Sequence, residues 1–102
     1  MKIVNTEEFR NTIQNGTTLV DFFADWCGPC KMLGPVVESV STQYSDINFI
    51  KVNVDDNMDL AQEFGIMSIP QMFIFKDGQA IAKTGGYMDE AGVKHFIDDA
   101  TK

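Results

Sequence analysis

Hydrophobic residues occur along the chain in two patterns, short β-rich runs and longer segments with helical spacing. The short runs predict five strands, at residues 1–4, 19–24 and 47–54 and as a hairpin over residues 71–86. The segments between them predict four helices, at residues 5–16, 27–44, 55–65 and 88–100.

Residues at the ends of the first predicted helix support its assignment. Asn5 or Thr6 can cap it, because a short polar side chain can accept a hydrogen bond from the first free amides. Phe9 and Ile13 are four positions apart and fall on one face, and Gly16 ends the helix. This segment therefore predicts an amphipathic helix that packs its apolar face on a core.

The second half of the chain contains a strong turn signal. Asp77-Gly78 joins two β-rich runs, which predicts a hairpin with a tight two-residue turn. Pro35 lies inside the second predicted helix and is expected to kink it. The apolar positions of that helix are Met32, Val36, Val37, Val40 and Tyr44, and the last helix directs Val93, Phe96 and Ile97 inward.

The element order β-α-β-α-β-α-β-β-α predicts an α/β fold, a central mixed β-sheet flanked by helices on both faces. A chain of 102 residues is long enough for one hydrophobic core and too short for two. We therefore expect a single domain over residues 1–102.

The charge of the chain restricts its partners. The net charge is −7, and a field of that sign repels nucleic acid and anionic membrane surfaces. No apolar segment is long enough to span a bilayer, and residues 1–10 lack the pattern of an export signal. We expect a monomer in the cytoplasm, where thiols are kept reduced.

Both cysteines of the chain, Cys27 and Cys30, lie within four residues of each other. A structural disulfide would close too small a loop to stabilise the fold much, and a zinc site would have two cysteines and only the distant His95. Inert buried thiols and a redox-active dithiol are the other interpretations. Cys27 lies where a strand ends and a helix begins, and free amides there favour the thiolate. Cys30 follows one turn later, within reach of a mixed disulfide at Cys27.

Asp21 interrupts an apolar strand and shares a face with Leu19 and Phe23, so it is expected to be buried. One interpretation is a hydrogen-bonded core acid. The other is a desolvated carboxylate with a raised pKa that takes a proton from Cys30. In that case Asp21→Asn stabilises the protein near neutral pH.

The motif "WCGPCK" follows an apolar strand, with Asp21 ahead of it, Pro35 in the next helix and Ile69-Pro70 before the hairpin. In this order, and together with Gly78 and Gly86, these residues resemble the thioredoxin family. The resemblance implies a reductase of protein disulfides, recharged by thioredoxin reductase with electrons from NADPH. It implies no bound cofactor and no metal, only a redox-active disulfide between Cys27 and Cys30.

The resemblance also implies roles for individual residues. Cys27 would be the attacking cysteine, Cys30 the resolving one and Asp21 the buried acid. Lys51 would be the lysine near that acid, with a surface charge at a strand edge as the alternative. Pro70 would be a cis-proline that leaves the backbone of its neighbour free to bind an extended substrate. The substrate-binding rim would consist of Trp26, Gly28, Pro29, Ile69, Pro70 and Gly86, with packing alone as the alternative for Trp26.

Two positions depart from the family pattern. Phe23 replaces the usual tryptophan, and Gln71 replaces the usual threonine after the proline. The segment before that proline carries Met67, and we expect Gln71 and Met67 to bear on substrate choice or redox potential. Three other functions remain open at this stage: an oxidant or isomerase on the same fold, a binding subunit without redox turnover, and a zinc-bridged dimer.

Overall fold

The structure, a computed structural model, describes every residue from 1 to 102 and contains five strands and four helices. The strands are β1 (Lys2–Ile3), β2 (Thr17–Phe23), β3 (Ile47–Asn53), β4 (Gln71–Lys76) and β5 (Gln79–Gly85). The helices are α1 (Thr6–Ile13), α2 (Gly28–Ser41), α3 (Met58–Glu63) and α4 (Glu90–Thr101).

The strands form one mixed sheet in the order β1-β3-β2-β4-β5. β1, β3 and β2 run parallel, whereas β4 pairs antiparallel with both β2 and β5. The predicted fold class, a mixed sheet between helices, is confirmed. β2 is the middle strand and is buried on both faces, which explains why residues 19–24 are apolar apart from Asp21.

Two apolar layers hold the helices on the sheet. On one face, α1 and α3 pack Phe9, Ile13 and Leu60 against aromatic residues of the sheet. On the other face, α2 and α4 pack side chains against Leu19, Met72 and Ile74. The helix residues of that second layer are Leu33, Val37, Val40, Val93 and Ile97. Burial of both layers supplies the main driving force that keeps the ends of the strands in place.

Local sequence signals account for several element boundaries. Asn5 caps α1 by accepting a hydrogen bond from the amide of Glu8, whose side chain in turn accepts one from the Asn5 amide. At the hairpin, Asp77 and Gly78 have φ values of 49° and 90°, so both adopt the left-handed conformation that a tight turn of this kind requires.

One prediction for α2 is wrong in detail. Met32 is exposed, and Leu33 occupies the buried position instead. The face of the helix that packs on the sheet contains Cys30, Leu33, Val37 and Val40. Leu33, the neighbour of Met32, therefore lies in the core. Burial of the Cys30 face sets this rotation.

Candidate active site

Cys27 lies at the junction between β2 and α2. It is the N-cap residue of α2, with extended backbone angles (φ −89°, ψ 112°), and Pro29 follows in the first turn. The Cys30 amide donates a hydrogen bond to Cys27 Sγ over 3.2 Å. The sulfur therefore occupies the place that an oxygen of serine or aspartate takes at other helix starts. Negative charge on this sulfur is favoured by the amide and by the helix dipole.

Cys27 and Cys30 form a disulfide, with their Cα atoms 5.2 Å apart. Both cysteines are buried, while Gly28 and Pro29 between them are exposed. The disulfide thus lies just below the surface, under the start of α2. The Sγ atom of Cys27 is 3.7 Å from the carbonyl oxygen of Ile69, in the segment that precedes β4.

The segment around Ile69 presents free backbone beside the disulfide. The Ile69–Pro70 peptide bond is cis. The carbonyl oxygen of Pro70 accepts a hydrogen bond from the amide of Gly86 over 2.9 Å. Gly86 has a φ of 85°, which a residue with a side chain adopts only at a cost. The hydrogen bond between Pro70 and Gly86 therefore fixes the position of this segment, and the carbonyl group of Ile69 lies next to Cys27.

Asp21 is completely buried in the middle of β2, as the sequence predicts. Neither of its carboxylate oxygens has a hydrogen-bond partner in the protein. The interpretation of Asp21 as a hydrogen-bonded core acid is therefore not supported, because no protein group donates a hydrogen bond to its carboxylate. Burial raises the pKa of Asp21 from 3.8 to about 6, and the positive charge of Lys51 opposes part of that rise.

Lys51 lies beside Asp21 in the sheet, because the two residues are paired in the parallel register of β2 and β3. Its ammonium group lies over the Phe23 ring, 4.4 Å from the ring centroid. The side chain also borders two hollows that contact Cys30. The smaller hollow, of about 150 Å³, is lined by Phe23, Ala24, Asp25, Cys30, Lys31 and Lys51.

The residues of the predicted rim are only partly brought together. Trp26 and Ile69 line one groove of about 400 Å³, next to the disulfide. Gly28, Pro29, Pro70 and Gly86 lie outside that groove. The first two are at the exposed start of α2, whereas Pro70 is buried. Trp26 is 70% exposed, so the alternative in which it serves packing alone does not fit its position.

Apart from Met67, the residues of the far wall of this groove were not identified from the sequence. The wall comes from α3 and from the segments before and after it, and consists of Val54, Asp55, Met58, Ala61, Gln62, Gly65, Ile66, Met67 and Ser68. Asp55 accepts a hydrogen bond from Nε1 of Trp26 over 2.8 Å. A usable signal was present: Asp55 follows the end of β3 just as Cys27 follows the end of β2, and parallel strands end at the same edge of a sheet.

Nowhere do three or more His, Cys, Asp or Glu side chains lie together in a way that could hold a metal ion, and His95 is exposed on α4. None of the helices is long and apolar enough to cross a membrane.

A mixed sheet that holds a Cys-Gly-Pro-Cys disulfide at the start of a helix defines the class of thiol–disulfide oxidoreductases. The family model described as Thioredoxin matches residues 1–99, so the chain belongs to the thioredoxin family.

The chain is similar in sequence and in structure to known thioredoxins. The chain is 42% identical over 98 residues to a thioredoxin of Chlamydia caviae, covering 96% of each chain. A solved structure of Plasmodium falciparum thioredoxin superposes with a TM-score of 0.91 at 36% identity, over 97% of this chain and 98% of that one. The oxidized form of mitochondrial thioredoxin 3 from Saccharomyces cerevisiae gives a TM-score of 0.84 at 39% identity, over 96% and 93%.

Proposed function

We propose that the chain reduces disulfides of other proteins and is recharged by thioredoxin reductase with electrons from NADPH. The observation that carries the proposal is the Cys27–Cys30 disulfide at the start of α2, where Cys27 Sγ accepts a hydrogen bond from the Cys30 amide. Membership of the thioredoxin family supports the partner, because relatives of that name match almost the whole chain.

In the first step, the Cys27 thiolate attacks one sulfur of the substrate disulfide. A Cys27–substrate disulfide forms, the substrate S–S bond breaks, and the other substrate sulfur leaves as a thiolate. The Ile69 backbone, 3.7 Å from Cys27 Sγ at its carbonyl, gives an extended substrate segment a place to pair. Trp26 lies on the adjoining apolar groove and covers the flank of that segment.

In the second step, the Cys30 thiolate attacks Cys27 Sγ. The Cys27–Cys30 disulfide forms, the mixed disulfide breaks, and the second substrate thiolate leaves, so two electrons have passed to the substrate. Cys30 must first lose its proton. We assign the acceptor role to Asp21, whose pKa of about 6 lets it be ionised at neutral pH and still bind a proton readily.

Lys51 has a positioning role in this scheme. Its charge lowers the pKa of Asp21 against the effect of burial, which keeps the acid available as a base near neutral pH. Lys51 also borders the hollow that reaches Cys30, which is large enough for water. Asp21 itself lines neither hollow, so Lys51 is the residue that lies between the hollow at Cys30 and the buried acid.

Residues 1–102 act as one domain and as a monomer, without a bound cofactor or metal. We place the protein in the cytoplasm, because a dithiol reductant needs a compartment that resupplies electrons. The acidic net charge of −7 disfavours nucleic acid and anionic membranes as partners.

The proposal is tested by the reduction potential of the Cys27–Cys30 couple and by turnover with a reductase. We expect a potential more negative than about −200 mV, since disulfide isomerases and oxidants lie near −180 and −120 mV. With thioredoxin reductase and NADPH, the protein should reduce insulin disulfides catalytically. A potential near −120 mV would instead make the protein an oxidant.

A non-redox binding role predicts a different result. If the chain served only as a binding subunit, the Cys27→Ser, Cys30→Ser double variant would keep its biological activity. The proposed reductase loses that activity completely in the same variant, because no sulfur remains to carry electrons.

A further inference from the structure

The chain carries sulfur outside the cysteine pair. It has six methionines, and three of them are exposed: Met32 (62%), Met58 (68%) and Met67 (96%). Met72, in contrast, is 1% exposed in the core. Methionine normally fills apolar gaps, so a side chain that is almost fully in water, as Met67 is, is not explained by packing.

Two of the exposed methionines lie in one place. Met58, on α3, and Met67, in the loop before Ile69, both line the groove that also contains Trp26. Met32 lies on α2 and lines no hollow of the structure. Two thioether sulfurs therefore border the surface beside the disulfide, whereas the third exposed one lies elsewhere.

We propose that Met58 and Met67 form a peroxide-modification site that controls docking of protein substrates in the groove. A hydroperoxide transfers one oxygen to each thioether sulfur. The O–O bond breaks, the S=O bond of a methionine sulfoxide forms, and the peroxide leaves as an alcohol or as water. Each sulfur loses two electrons, which the peroxide gains.

Oxidation changes the groove without changing the redox pair. A sulfoxide is polar, so a partner's apolar side chain that covers it must displace water from a strong acceptor. Under oxidising conditions the cysteines are already joined in a disulfide and offer no thiolate, which leaves the exposed methionines as the accessible reduced sulfurs. The inference rests on the proposed function, because it takes the groove as the surface on which protein disulfides dock.

The test starts with the disulfide form, in which the cysteines are protected. The protein is treated with hydrogen peroxide, freed of it, reduced with dithiothreitol and mapped by peptide mass spectrometry. We expect one added oxygen on Met58 and on Met67, and none on Met72. The KM for a protein disulfide substrate should rise about tenfold, which corresponds to about 1.4 kcal/mol. The rate with a small aromatic disulfide, which needs no groove, should stay the same.

Two variants localise the effect. The Met32→Leu protein should lose activity on oxidation as the parent does, because Met32 lies outside the groove. The Met58→Leu, Met67→Leu double variant should have the same KM before and after peroxide, whatever its starting value.

Each other result overturns the inference. It fails if Met58 and Met67 stay unoxidised while Met32 reacts, if the KM is unchanged after both are oxidised, or if the double variant is as sensitive as the parent. An equal loss with the small disulfide would show damage to the cysteine chemistry instead of to docking. An unoxidised protein that reduces no protein disulfide refutes the proposed function, and the docking role of the groove with it.

Discussion

Asp21 and Lys51 are paired across β2 and β3, yet their charged groups do not bond to each other. The ammonium group of Lys51 lies over the Phe23 ring, and the buried carboxylate has no hydrogen-bond partner in the protein. The charge of Lys51 therefore acts on Asp21 through space, and it offsets only part of the effect of burial on the pKa. An ionised Asp21 is thus costly to the folded state.

Asp21→Asn is expected to stabilise the protein near neutral pH. The pKa of Asp21 rises from 3.8 to about 6 on folding, so ionisation costs the folded state about 3 kcal/mol at neutral pH. Asparagine avoids this cost. Guanidinium unfolding of the disulfide form at pH 7.5 should show a gain of about 2–3 kcal/mol for the variant.

The pH dependence of that gain follows from the sign of the shift. Below pH 4 the acid is protonated in both the folded and the unfolded chain, so the gain from asparagine should vanish. It should grow between about pH 4 and pH 6 and be complete above that range. A variant less stable than the parent at pH 7.5 would contradict the raised pKa.

Lys51→Met is expected to raise the pKa of Asp21 further, because the variant loses the one charge that lowers it. The pH at which the Asp21→Asn gain reaches half its full size should therefore move upward in the Lys51→Met background. Release of reduced substrate should also need a higher pH. Lys83→Met, an exposed change on β5, is the matched control and should leave both midpoints in place.

Cys30→Ser is expected to trap a mixed disulfide between Cys27 and a substrate. The first attack proceeds, but no second thiolate remains to release the product. Incubation with a protein disulfide, followed by non-reducing electrophoresis and mass spectrometry, should show the adduct at Cys27. Cys27→Ser is the control and should form little of it. If Cys27→Ser forms the adduct more readily than Cys30→Ser, the two roles are reversed.

Asp55→Ala is expected to weaken docking of protein substrates by releasing the Trp26 indole, which donates to Asp55. Loss of a hydrogen bond to a charged acceptor is worth about 1.5–3 kcal/mol, part of which water recovers. We expect the KM to rise about threefold to tenfold with kcat unchanged. Trp26 is the only tryptophan, so its fluorescence anisotropy should fall in the same variant.

Asp56→Ala serves as the control for this change. Asp56 is exposed beside Asp55, and its side chain makes no hydrogen bond. The Asp56→Ala substitution removes the same charge and leaves the hydrogen bond between Trp26 and Asp55 in place. Equal effects of the two substitutions on the KM would attribute the loss to charge, and the anchoring role of Asp55 would be wrong.

Most of the fold could be predicted from local patterns. All nine elements were identified in their order, and the Asp77-Gly78 turn was identified from two residues, because only those residue types adopt its backbone angles easily. The error at Met32 arose because four neighbouring apolar positions on α2 fit more than one helix rotation. Only the sheet beneath the helix selects Leu33 as the buried residue.

Some features of the candidate site likewise follow from local sequence, whereas others depend on tertiary structure. The sequence by itself determined the cysteine pair, the helix that starts at it and the buried acid, because these lie within ten residues of chain and depend on local structure. Local sequence did not determine that Lys51 approaches Asp21 or that Ile69 faces Cys27, which were expected only from the family resemblance. Tertiary structure alone decided that Asp55 anchors Trp26. These contacts join segments far apart in the chain. The register of β2 and β3 places Lys51 beside Asp21 in mid-strand, and Asp55 meets Trp26 because these two parallel strands end at a common edge. Ile69 reaches Cys27 because the antiparallel β4 begins at that same edge.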